Sequence, residues 1–408
     1  MLKTPKALRL HIGIFGRRNV GKSSVLNSLL SQQVSIVSEV AGTTTDPVEK
    51  VMELQPVGPV VFVDTAGIDD IGALGKMRVD KTYKAIEKTD LALVVTDRWQ
   101  EYEQKLCAML KEQGVPVIVV TNKADLRNDG ELEEHIRDLK VGPVVATSIV
   151  KDEGISRLRQ QIIEISEDVR IEKDTLLGGL VNDGDTVVLV VPIDIEAPKG
   201  RLILAQVQTL REVLDANCCA MVVKENMLEQ TLTNLKQPPA LVVTDSQAFA
   251  QVSKTVPADI PLTGFSVLFA RYKGDLCSMV EGAMAIEELK GGDKVLISEA
   301  CSHHPIGEDI GRIKIPRWLQ SYVGDDLDIE VAAGRDFPED LSDYKLVIHC
   351  GACVWNRRQV LSRIDIARKA QVPFTNYGLT IAYSLGVFER ALQPFDDAMT
   401  IYKELAKK

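Results

Sequence analysis

The chain has 408 residues, of which 45% are hydrophobic and 26% charged, a mixture typical of globular proteins with two or three domains. Its 48 basic and 58 acidic side chains give a net charge of −10, which argues against binding to the phosphate backbone of nucleic acids. Because the sequence has no apolar run long enough to span a bilayer and no apolar signal-peptide core at its start, we expect a cytoplasmic protein without a nucleic-acid or membrane partner.

Up to about residue 168, short β-branched runs alternate with segments of helical period. This alternation predicts a parallel sheet covered by helices on both faces. The predicted strands are 8–15, 60–64, 91–96, 115–122 and 143–148. The predicted helices are 21–30, a stretch within 71–88, 101–113, 131–140 and 155–166. A charged segment, 167–174, and the glycine-containing turns after it predict the first domain boundary.

A glycine-rich segment follows the first predicted strand and matches the pattern G-x-x-x-x-G-K-[ST] from Gly16 to Ser23. Glycines let backbone N–H groups face phosphate oxygens, and the N-terminus of the next helix favours negative charge. Lys22 can reach the β and γ phosphates, and the Ser23 hydroxyl can bind Mg²⁺. Arg17 and Arg18 are expected to be solvated loop charges. The residues predicted to hold the nucleotide here are Gly16, Asn19, Val20, Gly21, Lys22, Ser23 and Ser24.

Three further segments complete a nucleotide site. Asp64 ends a predicted strand, where its carboxylate can bind Mg²⁺ through water, and Gly67 offers an amide near the γ-phosphate. The hydroxyl-rich loop 42–46 is positioned to close over the γ-phosphate and Mg²⁺. The segment 122–125 ends another predicted strand, and the Asp125 carboxylate can accept bonds from the N1–H and amino group of guanine. Adenine cannot present that pair, so the predicted base is guanine.

Together these segments resemble the G1 to G4 boxes of small GTPases, and Gly-Thr-Thr-x-Asp at 42–46 is similar to the Era and TrmE branch. The resemblance implies that Asn122, Lys123 and Asp125 bind the base. The fifth box, usually Ser-Ala, reads Ser148-Ile149, and we expect a backbone contact from it to guanine.

The same resemblance bears on hydrolysis of GTP. It implies that the second threonine of the loop 42–46, Thr44, binds Mg²⁺, with Thr43 as the other choice. Ile68 stands where Ras-like proteins have a water-orienting Gln, so we expect slow hydrolysis unless another group organises the transition state. Asn19 matches the asparagine that helps to hold K⁺ in potassium-activated relatives.

The rest of the chain predicts two further α/β regions. Strands at 186–192, 219–224 and 240–245 and helices at 201–216 and 226–235 predict a small α/β layer. It has no catalytic constellation, so its apolar content indicates a subunit interface. A third region starts near residue 263. Its predicted strands are 294–299 and 346–348, and its predicted helices are 357–370, 379–392 and 396–407.

Each strand of the third region runs into cysteines and histidines. Cys301 and His303 follow the first strand, and His349, Cys350 and Cys353 follow the second, with 45 residues between the two histidines. Cysteines of a cytoplasmic chain are thiols or metal ligands, and C-x-x-C brings two sulfurs to one metal. Three thiolates with either histidine complete a tetrahedral zinc site, and three thiolates also hold an iron–sulfur cluster. The residue types leave both readings open.

A TrmE/Era-like GTPase domain followed by C-x-H and H-C-x-x-C resembles the FeFe-hydrogenase maturation GTPases, the HydF family, over essentially the whole chain. The resemblance implies an α/β fold in three domains: a doubly wound P-loop GTPase domain (1–170), a small dimerisation domain (175–263) and an iron–sulfur cluster domain (264–408). It also implies a scaffold that binds a 4Fe–4S cluster, receives a di-iron precursor made with two radical-SAM maturases, and delivers it to apo-hydrogenase. We expect a homodimer or a higher assembly with GTP or GDP, Mg²⁺ and K⁺ as cofactors.

The family motif places the cluster thiolates at Cys301, Cys350 and Cys353. The motif histidines His303 and His349 are either ligands or supports of the ligands. Glu308 could bring a carboxylate to the fourth iron or could cap the next helix. A regulatory GTPase with a zinc-stabilised C-terminal interaction domain is the alternative function.

Overall fold

The computed structural model describes residues 9–31, 39–40, 48–65, 84–126, 130–171, 175–193, 202–300, 309–334, 336–338 and 340–407. The chain divides into two compact units, Met1–Lys173 and Asp174–Lys408. Within the described ranges, no helix is both long enough and apolar enough to cross a membrane.

The first unit alternates strands and helices. In chain order the described elements are β1 (Leu10–Phe15), α1 (Lys22–Ser31), β2 (Glu39–Val40), β3 (Val48–Leu54), β4 (Gly58–Asp64), β5 (Leu91–Thr96), α2 (Glu101–Glu112), β6 (Val117–Thr121), α3 (Glu131–Asp138), β7 (Val144–Ala146) and α4 (Ile155–Ile171). The strands form one seven-stranded sheet in the order β2-β3-β4-β1-β5-β6-β7. The α/β fold expected from the sequence is therefore confirmed.

The five predicted strands of this region are β1, β4, β5, β6 and β7, and they pair with one another in parallel. Every residue of β1 and β5 is buried, as expected for apolar strands with both faces covered. The sequence did not predict β2 and β3, which extend the sheet in antiparallel pairing. In β3, polar residues interrupt the apolar ones, so it lacks the continuous apolar run of the central strands.

Parallel pairing brings the carboxyl ends of the strands to one edge of the sheet. Ile14 of β1 lies opposite Asp64 of β4, and Thr121 of β6 lies opposite Ala146 of β7. The segments that follow these residues therefore meet at the same edge, where ligands of open α/β sheets bind.

The second unit contains two parallel four-stranded sheets. Its described elements are β8 (Thr186–Val190), α5 (Leu204–Asp215), β9 (Cys219–Val223), α6 (Leu228–Asn234), β10 (Leu241–Thr244), α7 (Phe249–Thr255), β11 (Leu262–Gly264), α8 (Phe265–Lys273), α9 (Leu276–Met284), β12 (Lys294–Glu299), a π-helical turn (Ile310–Lys314), α10 (Ile315–Val323), β13 (Asp328–Ala333), β14 (Leu346–His349), α11 (Arg357–Lys369), β15 (Phe374–Asn376), α12 (Tyr377–Ser384), α13 (Phe388–Leu392) and α14 (Asp396–Leu405). The strand orders are β11-β10-β8-β9 and β13-β12-β14-β15.

Both sheets of the second unit contribute to one apolar core. The same cluster contains Val188 of β8 and Leu296 of β12, and the Thr263 hydroxyl donates to the carbonyl of Ala391 at 2.8 Å. The single helix predicted at 379–392 is wrong, because the chain turns at Gly386 (φ 69°) and forms two helices.

Candidate functional site

The loop after β1 has a backbone that only glycine accommodates at two positions. Gly16 has φ 143°, and a Cβ built on it would lie 2.1 Å from the carbonyl oxygen of Val95. Gly21 has φ 95°, and a Cβ there would lie 2.2 Å from Nδ2 of Asn122. The two glycines of the motif therefore let the loop pack closely against β5 and the segment after β6.

Lys22 begins α1 and is held within this loop. Only 5% of the residue is exposed, and its Nζ donates to the carbonyls of Gly16 at 2.5 Å and Arg17 at 2.8 Å. These bonds fix the ammonium beside the loop backbone. An ammonium in that position supplies the positive charge that phosphate oxygens need.

The predicted magnesium residues meet between α1 and β4. The hydroxyl of Ser23 donates to Oδ2 of Asp64 at 3.0 Å. Asp64 is 8% exposed, so its carboxylate is largely shielded from solvent. Thr44 and Gly67, the other residues predicted for Mg²⁺ and the γ-phosphate, lie outside the described residues, as does Ile68.

Asn122 ties the base-binding segment to the phosphate loop. Its Nδ2 donates to the Val20 carbonyl at 2.8 Å, and its Oδ1 accepts from the Thr147 hydroxyl at 3.1 Å. All three residues are buried. The described arrangement therefore makes Asn122 a bridge between three segments of the site.

The side chains of Lys123 and Asp125 are held by neighbours. Lys123, in the left-handed conformation at φ 59°, donates to Oδ2 of Asp97 at 2.8 Å. Burial alone would raise the pKa of Asp97, but bonds from Lys123 and Arg98 bring it below its ordinary value. The Ser148 hydroxyl donates to Oδ1 of Asp125 at 2.6 Å, and this bond lowers the pKa of Asp125.

The Ser148 backbone N–H of the fifth box forms a hydrogen bond within the protein. The backbone N–H of Ser148 donates to the Glu153 carbonyl at 3.0 Å, so that amide is already used within the protein. The side chain of Ser148, by contrast, orients Asp125.

Asn19 and Ser24 of the phosphate loop, which are also predicted to contact the nucleotide, are exposed. Asn19 has a left-handed φ of 64°, which asparagine tolerates well.

Arg17 is not the solvated charge that the sequence predicts. Its guanidinium donates to Oε2 of Glu103 at 2.8 Å and to Oε1 of Gln100 at 2.5 Å, and it lies 5.5 Å from the centre of the Tyr102 ring. Glu103 is fully buried. No local sequence pattern indicates this contact, because Arg17 and Glu103 are 86 positions apart. Glu103 also accepts the backbone N–H of Gln100, the residue before α2, at 3.0 Å.

The cysteine turn, residues 350–355, follows β14 in the second unit. The Cys350 sulfur accepts the backbone N–H of Ala300 at 3.1 Å and that of Ala352 at 3.4 Å. Cys353 is exposed. Ala300 follows β12, so the ends of two adjacent strands meet at the turn. Amide donors to sulfur support a thiolate that binds metal.

His349 is buried and both its ring nitrogens are bonded. Nδ1 lies 2.7 Å from the Cys350 carbonyl, and Nε2 lies 3.1 Å from Nη1 of Arg363. A guanidinium can only donate, so Nε2 is the acceptor and Nδ1 carries the proton. Burial and then the charge of Arg363 lower the pKa of His349 to about 3. The described geometry makes His349 a neutral support of the turn.

A buried lysine also contacts the cysteine turn. Nζ of Lys273 donates to the carbonyls of Ala352 at 2.7 Å and Trp355 at 2.9 Å, and only 3% of the residue is exposed. Burial lowers the pKa of Lys273 to about 8, while the charges of Cys353 and Cys350 act in the opposite direction.

Within the described ranges, no three His, Cys, Asp or Glu residues are grouped so that they could hold a metal ion. Cys301, His303 and Glu308 lie outside those ranges. The donor set on the described side is two cysteine sulfurs on a C-x-x-C turn with amide donors to one of them, which fits an iron–sulfur cluster or zinc.

Three family models match the chain in succession. A model described as 50S ribosome-binding GTPase matches residues 11–123. The hydrogen maturase F dimerization domain matches residues 176–274, and the hydrogen maturase F tetramerization domain matches residues 277–394.

Three similar proteins each match about two fifths of the chain. GTPase Der of Wolinella succinogenes is 38% identical over 39% of this chain, and tRNA modification GTPase MnmE of Staphylococcus epidermidis is 40% identical over 42% of it. Each alignment covers 36% of the relative, so the chain spans about a third of their length. The G domain of the T. maritima FeoB iron transporter is 26% identical with a TM-score of 0.29, over 38% of this chain and 98% of that one.

Two of the three matched models describe hydrogen maturase F, and they follow a GTPase domain whose phosphate loop and base-binding segment meet at one sheet edge. This chain is therefore a member of the hydrogen maturase F family.

Proposed function

We propose that this protein is a GTP-hydrolysing maturation factor of FeFe-hydrogenase, a scaffold that carries a 4Fe–4S cluster and a di-iron precursor to the apo-enzyme. The observation that carries the proposal is the presence, in one chain, of a nucleotide site in the first unit and the cysteine turn in the second. The two radical-SAM maturases and apo-hydrogenase are the partners that this function requires.

In the nucleotide site, Lys22 neutralises phosphate charge and Asp125 selects guanine. Ser23, Thr44 and Asp64 would hold Mg²⁺, which stabilises the charge that develops on the phosphates. Gly67 would offer its amide to the γ-phosphate. Asn19, exposed on the phosphate loop, would hold K⁺.

Phosphate release from GTP in KCl and in NaCl tests this part. We expect faster turnover in KCl, loss of the difference in Asn19→Ala, and loss of nucleotide binding in Lys22→Ala. Equal turnover in both salts would remove the role of Asn19. Nucleotide binding without turnover in either salt would instead indicate a guanine-nucleotide sensor.

In the second unit, Cys301, Cys350 and Cys353 would supply three thiolates. A cluster held by three cysteines has one iron without a thiolate, whose ligand can exchange while the cluster stays bound. His303 and Glu308 are the candidates for that iron, whereas His349 supports the turn through its two ring bonds.

Analysis of anaerobically prepared protein for iron, sulfide and zinc tests the cluster. We expect iron and sulfide after reconstitution and a paramagnetic signal after dithionite reduction, both lost in Cys301→Ser, Cys350→Ser and Cys353→Ser. Stoichiometric zinc without a paramagnetic signal would support the alternative, a regulatory GTPase with a zinc-stabilised interaction domain. A signal that survives all three replacements would overturn the assignment.

Self-association is expected of a chain with a dimerization and a tetramerization domain. We place the dimer contact in residues 175–263, where β9 is an edge strand with Val222 44% exposed, and α5 exposes Leu214 to 59%. Exposed apolar residues beside an unpaired strand edge favour pairing with a second copy. Light scattering should show half the molar mass for Val222→Lys and an unchanged mass for the control Val150→Lys, whose side chain lies in the first unit.

A further inference from the structure

The side chain of Lys273 forms hydrogen bonds with three backbone carbonyls of the cysteine turn. Its ammonium donates to the carbonyls of Ala352 at 2.7 Å, Trp355 at 2.9 Å and Cys353 at 3.4 Å. Lys273 is the last residue of α8, so it belongs to a different element from the turn that it holds. One buried side chain therefore fixes the backbone on both sides of Cys353.

The ammonium has no carboxylate partner in the described part of the chain. The Lys273 ammonium lies 5.7 Å from the centre of the Phe269 ring, and Cys353 and Cys350, which are neutral as thiols, favour its charge when they ionise. Burying an ammonium away from water is costly unless a negative charge accompanies it. A neutral amide could bond to two of these three carbonyls without this cost, so the lysine supplies a positive charge to the turn as well as hydrogen bonds.

We infer that Lys273 is a positioning residue for the metal-bound thiolates of Cys350 and Cys353 and provides their counter-charge. This inference rests on the iron–sulfur cluster proposed above. The reduction potential of such a cluster depends on nearby charge and hydrogen bonds, and a fixed cation favours the reduced, more negative state. Lys273 therefore raises the reduction potential as well as holding the turn.

The test uses the full chain, reconstituted anaerobically with iron and sulfide. Lys273→Gln keeps side-chain N–H donors but removes the charge, whereas Lys273→Met removes both. Lys345→Met is the matched control, because Lys345 is exposed and directly precedes β14, at the opposite end of the strand from the turn. The readouts are iron bound per chain, the midpoint potential in a titration followed by electron paramagnetic resonance, and the thermal unfolding of the cluster-free chain.

We expect Lys273→Gln to bind iron as the unchanged chain does but with a more negative midpoint potential. Lys273→Met should lose at least half of the bound iron, and Lys345→Met should change neither quantity. A Lys273→Gln cluster with an unchanged potential would overturn the inference even if Lys273→Met fails to fold. Failure of the unchanged chain to bind iron and sulfide would instead refute the proposed cluster.

Discussion

The side-chain amide of Asn122 donates a 2.8 Å hydrogen bond to the backbone carbonyl of Val20, across 102 positions of sequence. The bond connects the predicted base-binding segment, 122–125, with the predicted phosphate loop, 16–23. Because Thr147 also donates to Asn122, three segments of the nucleotide site share one side chain.

Replacing Asn122 with Ala should weaken nucleotide binding and destabilise the first unit. The change leaves the buried Val20 carbonyl and Thr147 hydroxyl without this partner, at a cost of about 1–3 kcal/mol for an unsatisfied buried group. GDP affinity, measured with a fluorescent analogue, should fall by about tenfold or more. Asn234→Ala, at an exposed asparagine of the second unit, is the control. Unchanged affinity in Asn122→Ala would show that the bridge has no effect on binding.

Replacing Ser148 with Ala should lower the affinity for guanine nucleotides several-fold. The Ser148 hydroxyl orients Asp125 at 2.6 Å and lowers its pKa, so its loss frees the carboxylate to rotate away from the base. Asp125→Asn should reduce GTP binding more strongly, because an amide cannot accept both guanine N–H groups. Competition between GTP and ATP measures both effects. A Ser148→Ala variant with unchanged GTP preference and affinity would contradict this role.

Replacing Arg17 with Met should destabilise the first unit by about 1–3 kcal/mol. Removal of one partner from a buried ion pair typically costs about 3–5 kcal/mol, and partial exposure of Arg17, at 26% of its side chain, reduces that cost. Glu103, which is fully buried, would keep its bond from the backbone N–H of Gln100 at 3.0 Å.

The interaction energy between Arg17 and Glu103 is measured with a double-mutant cycle of Arg17→Met and Glu103→Gln. Calorimetry of the full chain gives the stability of each variant. The double variant should be more stable than the sum of the single effects predicts, because the second change removes the charge that the first leaves unpaired. Strict additivity would show that Arg17 and Glu103 do not interact energetically.

Cys107 should remain unreactive in the folded protein at mildly alkaline pH. Burial, with a smaller effect from Glu103, raises the pKa of its thiol to about 12. The unfolded thiol has its usual pKa of about 8.5, so above that pH the unfolded state loses a proton that the folded state keeps, and stability falls as the pH rises.

Treatment with iodoacetamide at about pH 8.5, followed by peptide mass spectrometry, tests the predicted low reactivity of Cys107. The exposed Cys219 should be modified in the folded chain, and Cys107 only after denaturant is added. Equal modification rates for both cysteines in the folded chain would contradict the raised pKa.

Elements whose signal is local can be predicted from the sequence alone. The strands β1, β4 and β5 appear as apolar runs, and the phosphate loop is recognised from the spacing of its glycines and Lys22. The prediction that the site recognises guanine follows from the residue types at the end of β6. The strands β11 and β15 are not predicted, because three residues are too few to show a periodic pattern. The strand β13 is not predicted either, although its first four residues alternate between polar and apolar.

The distant side chains that support those motifs can be identified only in the folded chain. The Arg17–Glu103 pair, the Arg363–His349 bond and the bonds from Lys273 to the cysteine turn join residues on different elements. Spacing along the chain records hydrogen bonding and backbone conformation over a few residues. A buried charge finds its partner only when packing brings separate elements together, so the contacts of Arg17, Arg363 and Lys273 are visible only in the folded chain.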